Sequence, residues 1–390
     1  MSISLAFKAS PWDDSGPLYE DAHRLLAAQL EEKLVRPGDE ALHEAARVGP
    51  RMADLGLFKY LLPNALGLKE GQIDVRALCT VREVLAYHSP LADAVFAVQG
   101  LCANPLMVCG RDALVARMVK GERIGGFALT EPEAGSDVAS LKSTALRTSA
   151  GDGWTLRGEK TFISNVGIAH HFVVFANADP AAGRKGISAF LVPADAPGLE
   201  LVTIPLSGQH PLGRLLMHDV KVPADALLGN VGDGLRLALG TLEIFRTSVG
   251  AAALGMAWRA LDEALQHTTT RRQFGQKLSE MQLVQAALAE MATELVSSRL
   301  LVASVARAKD LGKREVGSDV AMAKMHATEA ASRIIDRAVQ LHGGAGVVSG
   351  SKVEELYREV RPLRIYEGAT DVLKLMVGAS VVKRHESKAK

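Results

Sequence analysis

Glu367 sits where a carboxylate is hard to explain by solubility. The stretch Leu363–Asp371, LRIYEGATD, leads the apolar pair Ile365-Tyr366 straight into it and follows it with Gly368. Burying a carboxylate is costly, and a glycine lets backbone or ligand come close. A buried carboxylate approached closely by backbone or ligand is one reading; a helix-end glutamate turning back to solvent is the other. A second candidate is TEPEAGSD, Thr130 to Asp137, which follows the apolar run Phe127-Ala-Leu129. Its backbone N–H groups around Gly135-Ser136 suit an anionic or carbonyl-rich ligand, or form an ordinary polar loop. GEKTFISN puts Phe162 and Ser164 on one strand face and Ile163 on the other, which a routine half-buried strand also does. RRQFG, Arg271 to Gly275, offers a phosphate partner in Arg271 and an aromatic surface in Phe274; a solvated turn is the alternative. Arg246, in the apolar run LEIFRTSVGAAALG, is either a partnered core charge or a contact for an anionic substrate. QLHGGAG, Gln340 to Gly346, brings backbone close after a helix. GNVGDG, residues 229–234, lacks the strand-then-helix context of a nucleotide fingerprint and reads as a turn. His342 has no co-ligands, so no metal site is expected.

The elements that position these residues fall into three stretches. Residues 1–122 read as helical: Leu25, Leu26, Leu30 and Leu34 form one stripe, and Pro37-Gly38 stops it. Residues 81–109 include a nearly uncharged run that suits helices buried on most sides. Over 123–235 the chain turns to short segments rich in Val, Ile, Phe and Thr, separated by Gly, Asn and Pro turns. These predict an antiparallel β domain, and the lack of βαβ alternation argues against a doubly wound sheet. From 236 to 390 the helical period returns, with Met281, Val284, Leu288, Met291 and Leu295 at helical steps and Gly343-Gly344 as a stop. The fold class is α+β: an N-terminal helical domain, a middle β domain and a C-terminal helix bundle.

Composition narrows the partners. The chain has 390 residues, 48% of them hydrophobic, enough for two or three cores. Its 45 Lys+Arg against 44 Asp+Glu leave no basic footprint for nucleic acid. Cys79, Cys102 and Cys109 form neither a metal-ligand pattern nor an even disulfide set, which suits reduced thiols in a cytoplasmic protein. No signal peptide is expected, and no window approaches a membrane span.

FALTEPEAGSD, KTFISN, DVKVPADALLGNVGDGL, RRQFGQKL, QLHGGAG and IYEGATD occur in this order within the helix–β–helix layout. Together they resemble the acyl-CoA dehydrogenase family of flavoproteins over residues 20 to 380. The resemblance implies FAD, held by the β domain and the C-terminal bundle. It also implies removal of two hydrogens across the α,β-bond of an acyl-CoA thioester, electrons passing to electron-transfer flavoprotein, and a homotetramer. Carried over by motif, Phe127, Leu129, Thr130 and Ser136 line the flavin and the CoA channel. Phe162 and Ser164 stack on and hydrogen-bond the isoalloxazine. Arg271, Gln273, Phe274 and Gln282 contact the pyrophosphate and adenosine from a neighbouring subunit, with Gln340 and Gly344 completing that end. Glu243 and Arg246 face the CoA, and Ser136 serves flavin and substrate alike. Glu367 is the implied base, Gly368 gives the thioester access, and Ala369 and Asp371 follow at the flavin. The α-proton of a thioester is weakly acidic, so the base needs donors for the developing enolate oxygen. In this family those are the base's own N–H and a ribityl hydroxyl.

Three departures from the family pattern stand out. The common Gly-Thr-Ser/Asn-Glu/Gln run is here Gly368-Ala369-Thr370-Asp371, so a flavin-contacting hydroxyl is lost or comes from Thr370. Arg271-Arg-Gln273 lacks a hydroxyl at its third position, and SGQHPLGRLLMHDV lacks the usual Gly-x-Arg-x-Ser element. Relatives with the base on the earlier helix carry it where this chain has Phe245, which favours Glu367. Residues 83–110 contain no Lys or Arg, so a neutral acyl chain is expected over a dicarboxylic one. An oxidase or monooxygenase-like enzyme of the same fold, a carrier-protein-bound acyl substrate, and a non-catalytic scaffold are the competing readings.

Overall fold

The computed structural model describes residues 18–34, 40–68, 70–313 and 317–388. Pro37-Gly38, read as a helix stop, lies outside the described residues. The helices begin with α1 (Asp21–Leu34), α2 (Ala45–Asp54), α3 (Val75–His88), α4 (Pro90–Val108) and α5 (Asp112–Val119). Eight strands follow: β1 (Gly125–Ala128), β2 (Thr144–Arg147), β3 (Gly153–Ser164), β4 (His171–Asn177), β5 (Ile187–Pro193), β6 (Leu199–Thr203), β7 (Leu212–Pro223) and β8 (Leu227–Leu228). Then come α6 (Gly234–Thr270), the hairpin of β9 (Arg272–Gln273) and β10 (Gln276–Lys277), α7 (Gln282–Asp310), α8 (Gly317–His342), α9 (Lys352–Val360) and α10 (Thr370–Lys388). The α+β class and the order of its parts are those expected from sequence. The chain forms two compact units from separated stretches. A helical unit uses the described parts of Met1–Gly38, Pro63–Asp93 and Arg246–Lys390; a sheet unit uses those of Asp39–Leu62 and Ala94–Phe245.

In the helical unit α8 packs on α7, α9 and α10, while α3 lies against α1 and α7. The cause is visible in α8, whose buried Val320, Ala327, Ala331, Ile334 and Ala338 recur at helical steps. Small residues let the helices approach closely. Gly255 in α6 is the extreme case: a Cβ there would stand 2.0 Å from the carbonyl oxygen of Glu83 in α3, an approach only glycine allows. Leu26, Leu30 and Leu34 of α1 are buried, but Leu25 is 59% exposed. Buried ions here are paired, as burial demands. Arg76 Nε lies 2.6 Å from Asp310 and Arg299 Nε 2.6 Å from Glu83, while His23 Nε2 lies 3.0 Å from Asp74, which also caps α3.

The sheet runs β6-β7-β3-β2-β4-β5-β8, with β1 beside β4. It is antiparallel except that β1 and β2 are parallel to β4, so the sheet is mixed, not purely antiparallel as expected. The reason lies in β4, HFVVFAN, which is apolar at consecutive positions, the mark of a strand covered on both faces. Phe172, Val174 and Ala176 enter one core with Trp154 and Leu215. Val173 and Phe175 enter another with Cys102 and Leu106 of α4. Contrary to the sequence expectation, α4 and α6 contain windows long and apolar enough to cross a membrane; 83% and 67% of those windows are buried inside the protein.

Candidate active site

Glu367 leaves the short turn Arg361–Arg364 just before α10. Its φ is +50° and that of Gly368 is +104°. A non-glycine residue in this region costs roughly 1–3 kcal/mol and persists only where its surroundings enforce it. Here two cations do so. Lys324 Nζ donates to the carbonyls of Tyr366 (3.0 Å) and Gly368 (2.7 Å), and Arg246 Nε donates to that of Glu367 (2.8 Å). Gly368 is obligatory, since its φ is left-handed and a Cβ would lie 2.9 Å from Leu373 Cδ2. The Glu367 residue is half-buried, yet its Oε2 is enclosed and has no hydrogen-bond partner among the described residues. The Glu367 N–H is likewise unengaged among the described residues. An uncommitted carboxylate oxygen and an uncommitted donor on one residue are what proton abstraction beside a carbonyl requires.

Burial pushes the Glu367 carboxyl above the ordinary carboxylate range. Arg82, Lys324 and Arg246 pull it back, and Asp93 adds to the rise. Arg82 is held by Asp93 in a two-point ion pair, Nε–Oδ1 2.8 Å and Nη2–Oδ2 2.9 Å, with Ser248 accepting from Nη1 at 3.0 Å. Burial pushes Lys324 down to about 8, against the opposing pull of Glu367. Beyond Glu367, Ala369 is half-buried and Asp371 exposed at the start of α10. The Thr370 hydroxyl donates to Glu329 at 2.8 Å, and Glu329 is held by Arg364 at 2.8 Å. Thr370 is thus committed within the unit.

In the sheet unit, the loop after β1 is built on Glu131. Its buried carboxylate meets Lys160 Nζ at 2.7 Å and accepts from the N–H groups of Lys142 and Ser143, while Lys160 also donates to Leu129 O at 3.2 Å. The Thr161 N–H donates to Thr130 O at 2.9 Å. These bonds bring Leu129 and Thr130 beside the end of β3 and leave Ser136 exposed, with the N–H groups of Gly135 and Ser136 unengaged among the described residues. The pairing of β3 with β7 slips between Lys160 and Ile163, and Phe162 takes a φ of +56° there. The bulge turns Phe162 outward, 63% exposed, while Ile163 is buried. Ser164 Oγ lies 2.6 Å from His210 Nε2, an imidazole that burial pushes down to about 4. Phe127 packs on Phe175 at 4.9 Å. Glu243 is exposed on α6.

RRQFG is a hairpin in the helical unit, turned by Phe274 and Gly275 at φ +52° and +80°. Arg271, Gln273, Gln282, Gln340 and Gly344 are exposed, and Phe274 is 93% exposed. His267 and His342 stack at 4.4 Å, which brings the end of α6, leading to Arg271, beside the end of α8, carrying Gln340 and leading to Gly344. The GNVGDG turn is closed by Asp233 accepting from Asn230 N at 2.9 Å.

Sequence reasoning missed five residues of this arrangement. Lys324 was legible as a lysine on the buried stripe of α8. Arg82 stands one position before the stretch 83–110 taken as free of cations, so a buried guanidinium is present after all, neutralised by Asp93. Lys160 and Glu131 lie inside the motifs but gave no sign of pairing, and His210 occupies the region where the family element is missing.

Each unit, taken by itself, holds groups that suit a part of FAD. Outward-held Phe162 offers an aromatic surface beside the Ser164 hydroxyl; Gly135 and Ser136 offer unengaged donors; Arg271 and Phe274 offer a cation and a ring. Residues 126–220 match the acyl-CoA dehydrogenase middle domain and residues 232–382 its C-terminal domain. Glutaryl-CoA dehydrogenase of Desulfococcus multivorans is 36% identical over 334 residues, 84% of this chain and 85% of that protein. The caffeyl-CoA reductase-Etf complex subunit CarC of Acetobacterium woodii is 33% identical over 346 residues, 86% of this chain and 89% of that protein. The structure of a glutaryl-CoA dehydrogenase from Mycobacterium smegmatis in complex with FADH2 superimposes with a TM-score of 0.85 at 25% identity, covering 95% of this chain and 97% of that one. The chain belongs to the acyl-CoA dehydrogenase family, and is an FAD-dependent oxidoreductase.

Proposed function

We propose that the protein dehydrogenates a neutral acyl-CoA thioester to the 2-enoyl-CoA, with Glu367 taking the α-proton and electron-transfer flavoprotein accepting the electrons. The observation that carries this reading is the enclosed Glu367 oxygen without a partner, on a residue whose own N–H is unengaged. Bound FAD supplies the acceptor for the hydride leaving the β-carbon. The chain does the rest. Glu367 holds the abstracted proton on its carboxylate, its N–H stabilises the developing enolate oxygen, and Gly368 lets the thioester approach. Burial raises the basicity of the carboxylate, and three cations oppose that rise.

The way the cations near the base are committed supports a neutral acyl group. Arg82 is tied to Asp93 at two points and Lys324 to two backbone carbonyls, so neither is offered to a terminal carboxylate. Arg246 and Glu243 serve the CoA portion. Phe127, Leu129, Thr130, Ser136, Phe162 and Ser164 serve the flavin ring, with Ala369 and Asp371 beside the base. Arg271, Gln273, Phe274, Gln282, Gln340 and Gly344 serve the adenosine end from a neighbouring subunit of a homotetramer. Exposed Phe274, Leu283 and Leu375, at 93%, 86% and 74%, support such an assembly. The test is an anaerobic titration of the yellow holoprotein with neutral and dicarboxylic acyl-CoAs. Bleaching by a neutral thioester, then reoxidation by electron-transfer flavoprotein faster than by oxygen, is expected. Bleaching by none, or faster reoxidation by oxygen, would contradict the reading.

A further inference from the structure

Lys324 has no exposed surface and stands on the core stripe of α8 between Val320 and Ala327. A lysine there is expensive unless its charge is answered. It has no carboxylate within ion-pair distance among the described residues; its hydrogens go to the Tyr366 and Gly368 carbonyls at 3.0 and 2.7 Å. Arg246 takes the carbonyl between them. In a trans peptide the carbonyl of one residue and the N–H of the next point in opposite directions. The grip on Tyr366 O therefore aims the Glu367 N–H away from Lys324.

We infer that Lys324 is the positioning residue of the catalytic base: holding the carbonyls on either side of Glu367, it fixes the left-handed turn, directs the Glu367 N–H at the thioester oxygen and keeps a positive charge beside the carboxylate. This rests on the reading of Glu367 as the base. The charged groups bearing on Glu367 are Arg82 and Asp93 from α3 and α4, Arg246 from α6 and Lys324 from α8; Glu329 also acts on Lys324. Of these, Lys324 is the one that both binds the turn twice and lowers the Glu367 pKa.

The test compares Lys324→Met and Lys324→Gln with the native holoenzyme. Flavin reduction by the best neutral acyl-CoA of a panel is followed from about pH 5 to 9, with amide exchange over residues 365–371. Reduction is expected to fall on the order of 10–100-fold in Lys324→Met with acyl-CoA affinity little changed. The loss is smaller in Lys324→Gln, whose amide still reaches one carbonyl. Reduction needs ionised Glu367 and is lost as pH falls through its pKa. Removing the cation raises that pKa, so in both variants the acid limb moves to higher pH, and exchange over 365–371 quickens. A lowered rate with the acid limb unmoved, or unchanged exchange, would overturn the proposal. If Lys324→Met does not fold, Lys324→Gln decides alone. If the native enzyme is reduced by no acyl-CoA, the base assignment fails, and the exchange measurement still decides whether Lys324 holds the turn.

Discussion

Glu367 reconciles two demands that oppose each other, enclosure and ionisation. Enclosure raises its pKa, three cations lower it, and Asp93 sets how much of the Arg82 charge it feels. Replacing Asp93 by Asn removes the anion that raises the Glu367 pKa. The acid limb of flavin reduction should then move to lower pH, opposite to the shift for the Lys324 variants. Arg82, no longer neutralised, should also favour dicarboxylic over neutral acyl-CoA by about tenfold or more relative to native, the scale of one charge-assisted hydrogen bond. Stopped-flow reduction with paired substrates checks both, and an unmoved limb with unchanged preference would show that the pair does not reach the site. At this scale Glu367 stood out only through the motif order it closes, because an apolar pair, a carboxylate and a glycine side by side also suit a helix end. Its supports were not. Lys324 is 43 residues from Glu367, and Arg82 and Asp93 further still; only the folded helices show that they share one electrostatic neighbourhood.

Among the elements, helical period and strand composition placed α8 and β4 correctly. The parallel pairing of β4 with β1 and β2 was hidden, because period alone does not say which neighbour a two-faced strand takes. The bulge at Phe162 was hidden for a similar reason: alternation assigns faces but not a positive φ in the strand. The close crossing of α3 and α6 has a direct test. Gly255→Ala puts a methyl group against Glu83 O, and overpacking of this kind costs about 1–3 kcal/mol. Thermal denaturation should show a lowered midpoint with FAD still bound in the folded fraction; an unchanged midpoint would mean the helices separate freely.

For the whole molecule, the order of six motifs made the family legible. The homotetramer was an expectation of the resemblance alone, since exposed apolar side chains such as Phe274 and Leu375 are spread over the chain and gain meaning only on a surface. If the hairpin grips FAD from a neighbouring subunit, Arg271→Ala should weaken FAD retention by about 10–100-fold, the loss of a charged contact to phosphate. Dilution that dissociates the proposed tetramer should then release FAD from the native protein too. Flavin fluorescence with light scattering reads both, and retention by isolated monomers would refute the arrangement.

We propose Glu367 as the base. The most direct measurement is the anaerobic absorbance of the bound flavin on mixing with a neutral acyl-CoA, native protein against Glu367→Gln. The expected variant is folded and FAD-bound, with its flavin bleached about 10²–10⁴-fold more slowly, the usual worth of a general base. Bleaching of Glu367→Gln at the native rate would contradict it.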